Sequence, residues 1–261
     1  MKLNNEEYNA LEGIRRSDLW WFNKTPMHFA WHMSHKDAEE ENSKDLSFGI
    51  AAHKYVLEHD DFDKEYAVVP RIDRRTKVGK EEYERFIAEN EGKELISEED
   101  METIKEMYKA LQEHQIALYL LNGGRNEEVF TWIDKDSNIP CKIKCDSVVE
   151  YNGKPYVVDY KTTRSCENGV FERSARHYGY DFQAGMYCEG VAKNTLEEYG
   201  FVFVAQEKTA PYAVRVYWCS DEFIESGKRK YHGLIKKYHE CKETNSWPGY
   251  EDEELLEEYY G

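Results

Sequence analysis

Asn152-Gly153 lies between two strand-like runs, residues 139–151 (IPCKIKCDSVVEY) and 155–163 (PYVVDYKTT). An Asn-Gly pair flanked by alternating apolar residues is the strongest short-range hairpin signal, because both residues tolerate positive φ. The hairpin constrains everything around it. Alternation places Asp159 and Lys161 on one face of the second strand, with Val158 and Tyr160 on the other. In the first strand Lys142, Lys144 and Asp146 share a face, opposite Cys141, Ile143 and Cys145. Pairing the strands brings Asp146 towards Asp159.

Two readings of this pair stand open. One is a cross-strand charge pair on a wet sheet face. The other is a metal site: two converging carboxylates repel unless a cation lies between them. A hard divalent cation takes oxygen ligands and keeps several waters. One such water, with lowered pKa, can attack a phosphodiester. A lysine two residues along could then stabilise the transition-state charge.

Elsewhere the pattern is helical first and strand-rich later. Helices are expected over residues 5–12 and 18–22 (capped by Ser17), and from Thr25-Pro26 onwards. Further helices are expected over 47–59 (capped by Ser47), 81–90 and 97–121, with Ile104, Met107, Leu111 and Leu118 as the buried stripe of the last. After Asn122-Gly123-Gly124 the texture changes. Strands are expected at 127–134, 139–151, 155–163, 199–207 and 212–219, with helices over 181–194 and from 221 to about 243. The expected fold is α+β (α/β/α-like), with a central mixed, mainly antiparallel sheet flanked by helices. Residues 1–249 read as one domain, helical over about 1–121 with a sheet core over about 122–249. Residues 250–261 form an acidic tail.

Composition narrows the function. The net charge is −17, and the tail carries six acids and no base, leaving −11 on residues 1–249. That balance argues against passive wrapping of nucleic acid. Residues 71–80 (RIDRRTKVGK) nevertheless carry five bases and one acid, so that strip is either a solvated loop or a guide for a phosphate backbone. The absence of an apolar run of about 18 residues predicts no transmembrane helix. The polar N-terminal stretch lacks a signal-peptide core, which points to the cytoplasm. Six scattered cysteines, all after residue 140 and without a CxxC pair, read as buried thiols, with zinc or an iron–sulfur cluster as the alternative.

Three neighbours add to Asp146 and Asp159-x-Lys161. His53 follows small residues in GIAAHKYVLE. Gln183 and Tyr187 lie one helical turn apart. Glu127 or Glu128 opens the preceding strand, either as a further ligand or as a charged strand end. Taken in order, these residues resemble the PD-(D/E)xK nuclease superfamily in its RecB-like branch. They are closest to the phage-type exodeoxyribonuclease VIII (RecE-like) family. The shared elements are SDLWWFNKTPMHF, GIAAHKYVLE, the basic segment 71–80, KIKCDSV, DYKTT and GYDFQAGMY. Thr25 departs from the more frequent serine.

The resemblance implies a restriction-endonuclease-like core. His53, Asp146 and Asp159 would be metal ligands, with the Tyr160 carbonyl as a further one. Lys161 would act on the attacking water or the transition state. Gln183 and Tyr187 would hold DNA or buttress the lysine, Thr162 and Thr163 would bind phosphate, and Arg74, Arg75 and Lys77 would lie on the DNA path. It implies Mg²⁺ (with Mn²⁺ as substitute), and neither an iron–sulfur cluster nor a nucleotide cofactor. The implied activity is 5′→3′ degradation of one strand from double-stranded DNA ends, leaving 3′ overhangs for recombination. The implied partner is a single-strand annealing protein, and the implied assembly a ring-forming homo-oligomer, with no membrane. A CRISPR-adaptation nuclease of the RecB-like type and a non-catalytic DNA-binding module are the alternatives. The first usually has an early cysteine ligand, and no cysteine precedes Cys141.

Overall fold

A computed structural model describes residues 1–35 and 44–251; the segment 36–43 and nearly all of the acidic tail lie outside the described residues. The chain opens with helices α1 (Asn5–Ala10), α2 (Arg16–Phe22) and α3 (Pro26–His35). Ser17 is not the cap of α2. Arg15 takes that position, with its main-chain N–H bonded to Asp18 Oδ2 at 3.1 Å. A carboxylate at the third helical position reaches back to the cap, so the helix starts two residues earlier than expected. Pro26 does occupy the first position of α3, and the Thr25 hydroxyl accepts the His28 N–H at 3.3 Å.

Helix α4 (Lys44–Leu57) likewise starts before Ser47, which lies inside it. A short 3₁₀ turn (His59–Asp61) and α5 (Phe62–Glu65) lead into β1 (Tyr66–Val69), then α6 (Lys77–Glu89) and β2 (Glu94–Ser97). β1 and β2 pair in parallel, so the N-terminal part is not purely helical. The expected helix over 97–121 is two: α7 (Glu98–Gln112) and α8 (Gln115–Asn122). His114 ends one stripe and caps the next, its Nδ1 accepting the Ala117 N–H at 3.2 Å. The break rotates α8, so Ala117, Leu120 and Leu121 are buried and Leu118 is only half-buried.

The main sheet has five strands in the order β3 (Arg125–Ile133), β4 (Pro140–Tyr151), β5 (Lys154–Thr163), β6 (Gly200–Glu207) and β7 (Val214–Trp218). Every neighbouring pair is antiparallel except β5 and β6. That parallel pair needs a crossover, supplied by α9 (Asn168–Tyr178) and α10 (Tyr180–Thr195). Helix α11 (Asp221–Thr244) then crosses α10, capped by the Ser220 hydroxyl. Asn152 and Gly153 turn the central hairpin at φ 52° and 75°, as the sequence requires.

One sheet face packs Phe130, Ile143, Val157 and Phe203 under α2, α10 and α11. The other packs Val158, Tyr160 and Val202 under α4, α7 and α8. Tyr160 is fully buried, and its hydroxyl donates to Gln206 Oε1 at 2.6 Å. Gln206 Nε2 in turn donates to the Met107 carbonyl at 2.7 Å. Burying such a ring is worth roughly 1.5–3 kcal/mol, and a one-residue slip of β5 would move it to the opposite face. Among the described residues no helix is long and apolar enough to cross a membrane.

Candidate active site

The sheet opens at the two aspartates. The β4–β5 ladder runs from Tyr151↔Lys154 only as far as Ser147↔Val158. Past it, β5 continues on β6 to Thr163↔Glu207. β4 continues on β3 to Ile133↔Pro140, and Ile14 pairs with the edge it exposes, at Cys141. Asp146 and Asp159 are the first residues beyond the fork on their respective strands. The inward alternation of β4 also slips there: Cys145 and Val148 both face the α10 side. Glu127, opposite the slip, has φ 56°. A kink of this kind re-aims a side chain. Here Asp146 Oδ2 accepts the main-chain N–H of Tyr160 at 2.8 Å across the opening.

Three elements close on this fork. From β5, Lys161 Nζ forms an ion pair 2.5 Å from Asp159 Oδ2, which is buried and accepts no aligned hydrogen bond. From α10, Gln183 Nε2 donates to Asp159 Oδ1. From α4, His53 Nδ1 stands 3.4 Å from Asp146 Oδ2, with its ring 5.0 Å from that of Tyr160. The small residues of α4 face two neighbours. Gly49 passes close to Thr162, where a Cβ would make ordinary contact at 3.5 Å from Oγ1, while Ala51 and Ala52 pack on Ile96, Met101 and Ile104.

Charge in the fork is unbalanced. Burial, then the charges of Asp159 and Glu127, push the Asp146 carboxyl well above the usual range. Burial, assisted by the Lys161 ammonium, pushes the His53 imidazole down to about 4, so it is neutral at physiological pH. Glu127 is also raised, first by burial, and is ion-paired with Lys144. Glu128 instead faces Arg125, at 2.6 Å, and the N-terminus at 3.6 Å. Of the two glutamates, Glu127 is the one whose charge reaches Asp146.

The donor chemistry suits a hard cation: crowded carboxylates, a neutral imidazole and the carbonyl of Tyr160 at the fork. Among the described residues, no three His, Cys, Asp or Glu side chains are gathered closely enough to enclose an ion as they stand. Lys161 meanwhile supplies the countercharge on Asp159. All six cysteines are free thiols, five of them buried.

Other candidates lie differently. Gln183 is 6% exposed and is engaged by Asp159 rather than presented on an open face. Tyr187 is half-buried, and enclosure raises its phenol's pKa. Thr163 Oγ1 donates to the Ser165 carbonyl at 3.3 Å. The basic strip forms the exposed connection from β1 into α6. There Arg74 lies over the Tyr83 ring at 4.7 Å, Arg75 pairs with Asp73 at 2.9 Å and Lys77 stands 3.8 Å from Glu81. Its acidic partners lie in the strip itself and on α6 and α7, and none belongs to the fork.

Sequence reasoning missed Arg16. Its guanidinium packs over Trp20 (5.1 Å) and Phe182 (5.8 Å) and donates to the carbonyls of Tyr178 and Gly179. Burial lowers its pKa, opposed by Tyr187 and Asp159 among others. The carbonyls it bonds lie more than 160 residues away, so no local pattern marks its role.

Residues 16–258 match the family described as "PDDEXK-like domain of unknown function (DUF3799)". A crystal structure described as a "Putative exonuclease" from Eubacterium rectale matches with a TM-score of 0.62 at 17% identity, covering 94% of this chain and 88% of that one. At that identity the likeness shows the fold, which is restriction-endonuclease-like. The structure of SSO0001 is 18% identical over 72% of this chain and 84% of that one, at a TM-score of 0.33, too low to carry an argument. No curated protein matches the sequence.

Proposed function

We propose that this chain, which belongs to the PDDEXK-like family whose pattern it matches, is a divalent-metal-dependent nuclease acting on the ends of linear double-stranded DNA. One observation carries the reading. Asp146 and Asp159 stand where the β4–β5 ladder stops, with Lys161 and Gln183 on the second and His53 on the first. A structural charge pair has no need of a sheet that opens at that point, nor of a neutral histidine beside a destabilised carboxylate.

Asp146, Asp159, His53 and the Tyr160 carbonyl would hold the ion. Magnesium, or manganese in its place, supplies when bound a water of lowered pKa and a Lewis acid for the phosphate. Gln183 fixes the rotamer of Asp159, as an outer partner of a ligating carboxylate does. Lys161, exchanged from Asp159 Oδ2, would lie beside the scissile phosphate and stabilise its developing charge. Thr162 and Thr163, next along β5, would receive neighbouring phosphate oxygens. Glu127 is the further acid at the fork. Degradation from the 5′ end, 3′ overhangs for recombination in the cytoplasm, a single-strand annealing partner and a ring-shaped assembly follow the RecE-like resemblance.

The test is incubation with Mg²⁺ and linear duplexes labelled at the 5′ or the 3′ end, beside a closed circle. The expected result is early release of the 5′ label with the circle intact, and no release by Asp159→Ala or Lys161→Ala. Cleavage by either variant at the normal rate would remove the assignment. Nicking of the circle would replace an exonuclease with an endonuclease.

A further inference from the structure

We propose that the elbow between α9 and α10 is a docking surface for the unpaired strand of a DNA substrate, leading it to Lys161. This rests on the nuclease reading above and adds to it the exposed residues that precede the GYDFQAGMY element, which no motif covered.

The elbow is built around Gly179, at φ 62°. A Cβ there would lie 2.1 Å from the Trp20 ring, so only glycine lets α2 pack beneath the turn. Arg16 bonds the carbonyls of Tyr178 and Gly179 from below. The turn is therefore held from one side, and Tyr178 beside it is exposed.

A line of rings runs from the site to that exposed residue. Lys161 Nζ lies 5.3 Å from the centre of the Tyr180 ring. Tyr180 stacks on Tyr178, with centroids 6.1 Å apart and ring planes inclined by 24°. Tyr178 is 52% exposed and meets His177 edge-on at 4.7 Å. A half-exposed tyrosine, a few nucleotide steps of about 3.4 Å from the reacting lysine, offers a base a ring to stack on. Stacking needs a base whose face is uncovered, which favours a single strand over an intact duplex.

Charge agrees with this occupant. Arg173 and Arg176 are exposed on α9, and Arg164 is exposed where β5 leaves the sheet. Among the described residues none of the three has an acidic partner, whereas Arg71, Arg75 and Lys77 of the basic strip all do. Glu172 is the one acid within α9. On a chain of net charge −17, arginines without acidic partners on the element that carries an exposed tyrosine are matched to a phosphate backbone.

The experiment measures binding of a fluorescent mixed-sequence single strand, and of its duplex, by anisotropy in EDTA over a range of salt. The proteins are the wild-type chain, Tyr178→Ala, Tyr178→Phe and Arg173→Ala with Arg176→Ala. Cleavage of linear duplex in Mg²⁺ is followed in parallel. Tyr178→Ala should weaken single-strand binding on the order of tenfold, while Tyr178→Phe keeps it. The arginine double variant should flatten the salt dependence by about 0.7 in log–log slope for each phosphate left without its arginine. If the wild type binds and degrades DNA but both the alanine and the arginine variants bind normally, the docking surface is wrong and the nuclease reading stands. If Phe fails as Ala does, stacking is excluded. If the wild type neither binds nor degrades DNA, both readings fall.

Discussion

Replacing Gly227 by alanine tests how closely helix packing positions the fork. α10 and α11 cross at Gly185 and Gly227. A Cβ on Gly227 would lie 1.7 Å from the Asp181 carbonyl oxygen, and one on Gly185 would lie 2.2 Å from the main chain of Gly227 and Lys228. Both obstacles are backbone, so no rotamer change relieves them. The helices must part by more than about 1 Å, at the upper end of the roughly 1–3 kcal/mol that overpacking costs. A domain stable by about 5–15 kcal/mol survives that, but α10 carries Gln183, whose amide holds Asp159. A shift of about 1 Å in a positioning group can cost about 100-fold in rate. Urea unfolding of Gly227→Ala should show a loss of about 3 kcal/mol, and nuclease activity should fall about 100-fold in protein that is still folded. Stability within about 0.5 kcal/mol of the wild type, together with a full rate, would refute the reasoning, because the crossing would then tolerate a side chain.

Gln183→Ala should raise the Mg²⁺ concentration for half-maximal activity by about 10–100-fold, read by metal titration; an unchanged midpoint would show that Asp159 does not need its partner. Asp134 gives a prediction away from the site. Burial alone would raise its pKa, but bonds from Ser137 (2.7 and 3.0 Å) and Tyr231 (3.3 Å) outweigh burial and lower it. A carboxylate lowered in the fold contributes stability above its unfolded pKa of about 3.9, and that stability is lost as pH falls through the lower folded value. Asp134→Asn should therefore cost about 2 kcal/mol at neutral pH and flatten the stability curve in acid, as denaturation at several pH values will show. Arg74→Ala with Arg75→Ala should weaken duplex binding and reduce its salt dependence, checked by the salt slope of binding; an unchanged slope would leave the strip as a solvated loop.

The hairpin, α10 and the shared face of Asp159 and Lys161 were legible because each rests on local chemistry: an Asn-Gly turn, a helical period, a strand alternation. Other features were not, for physical reasons. Only Phe171 and Ala175 of α9 are buried, which leaves too little apolar pattern to mark a helix. β1 and β2 are four residues each and pair in parallel, so neither has a turn signal to announce it. Ser17 and Ser47 looked like caps, but Asp18 caps α2 from within and α4 starts earlier. The fork itself is a tertiary feature. Alternation predicts that Asp146 nears Asp159, but not that the ladder ends there or that Gln183 bonds the second carboxylate.

The central claim is that Asp146 and Asp159 share a divalent ion. Crystals of the protein soaked in Mn²⁺, measured for anomalous scattering, test it directly. The account predicts one strong peak between the two carboxylates and within reach of His53, lost in Asp159→Asn. A peak elsewhere with the fork vacant, or Lys161 still on Asp159 at saturating manganese, would contradict it.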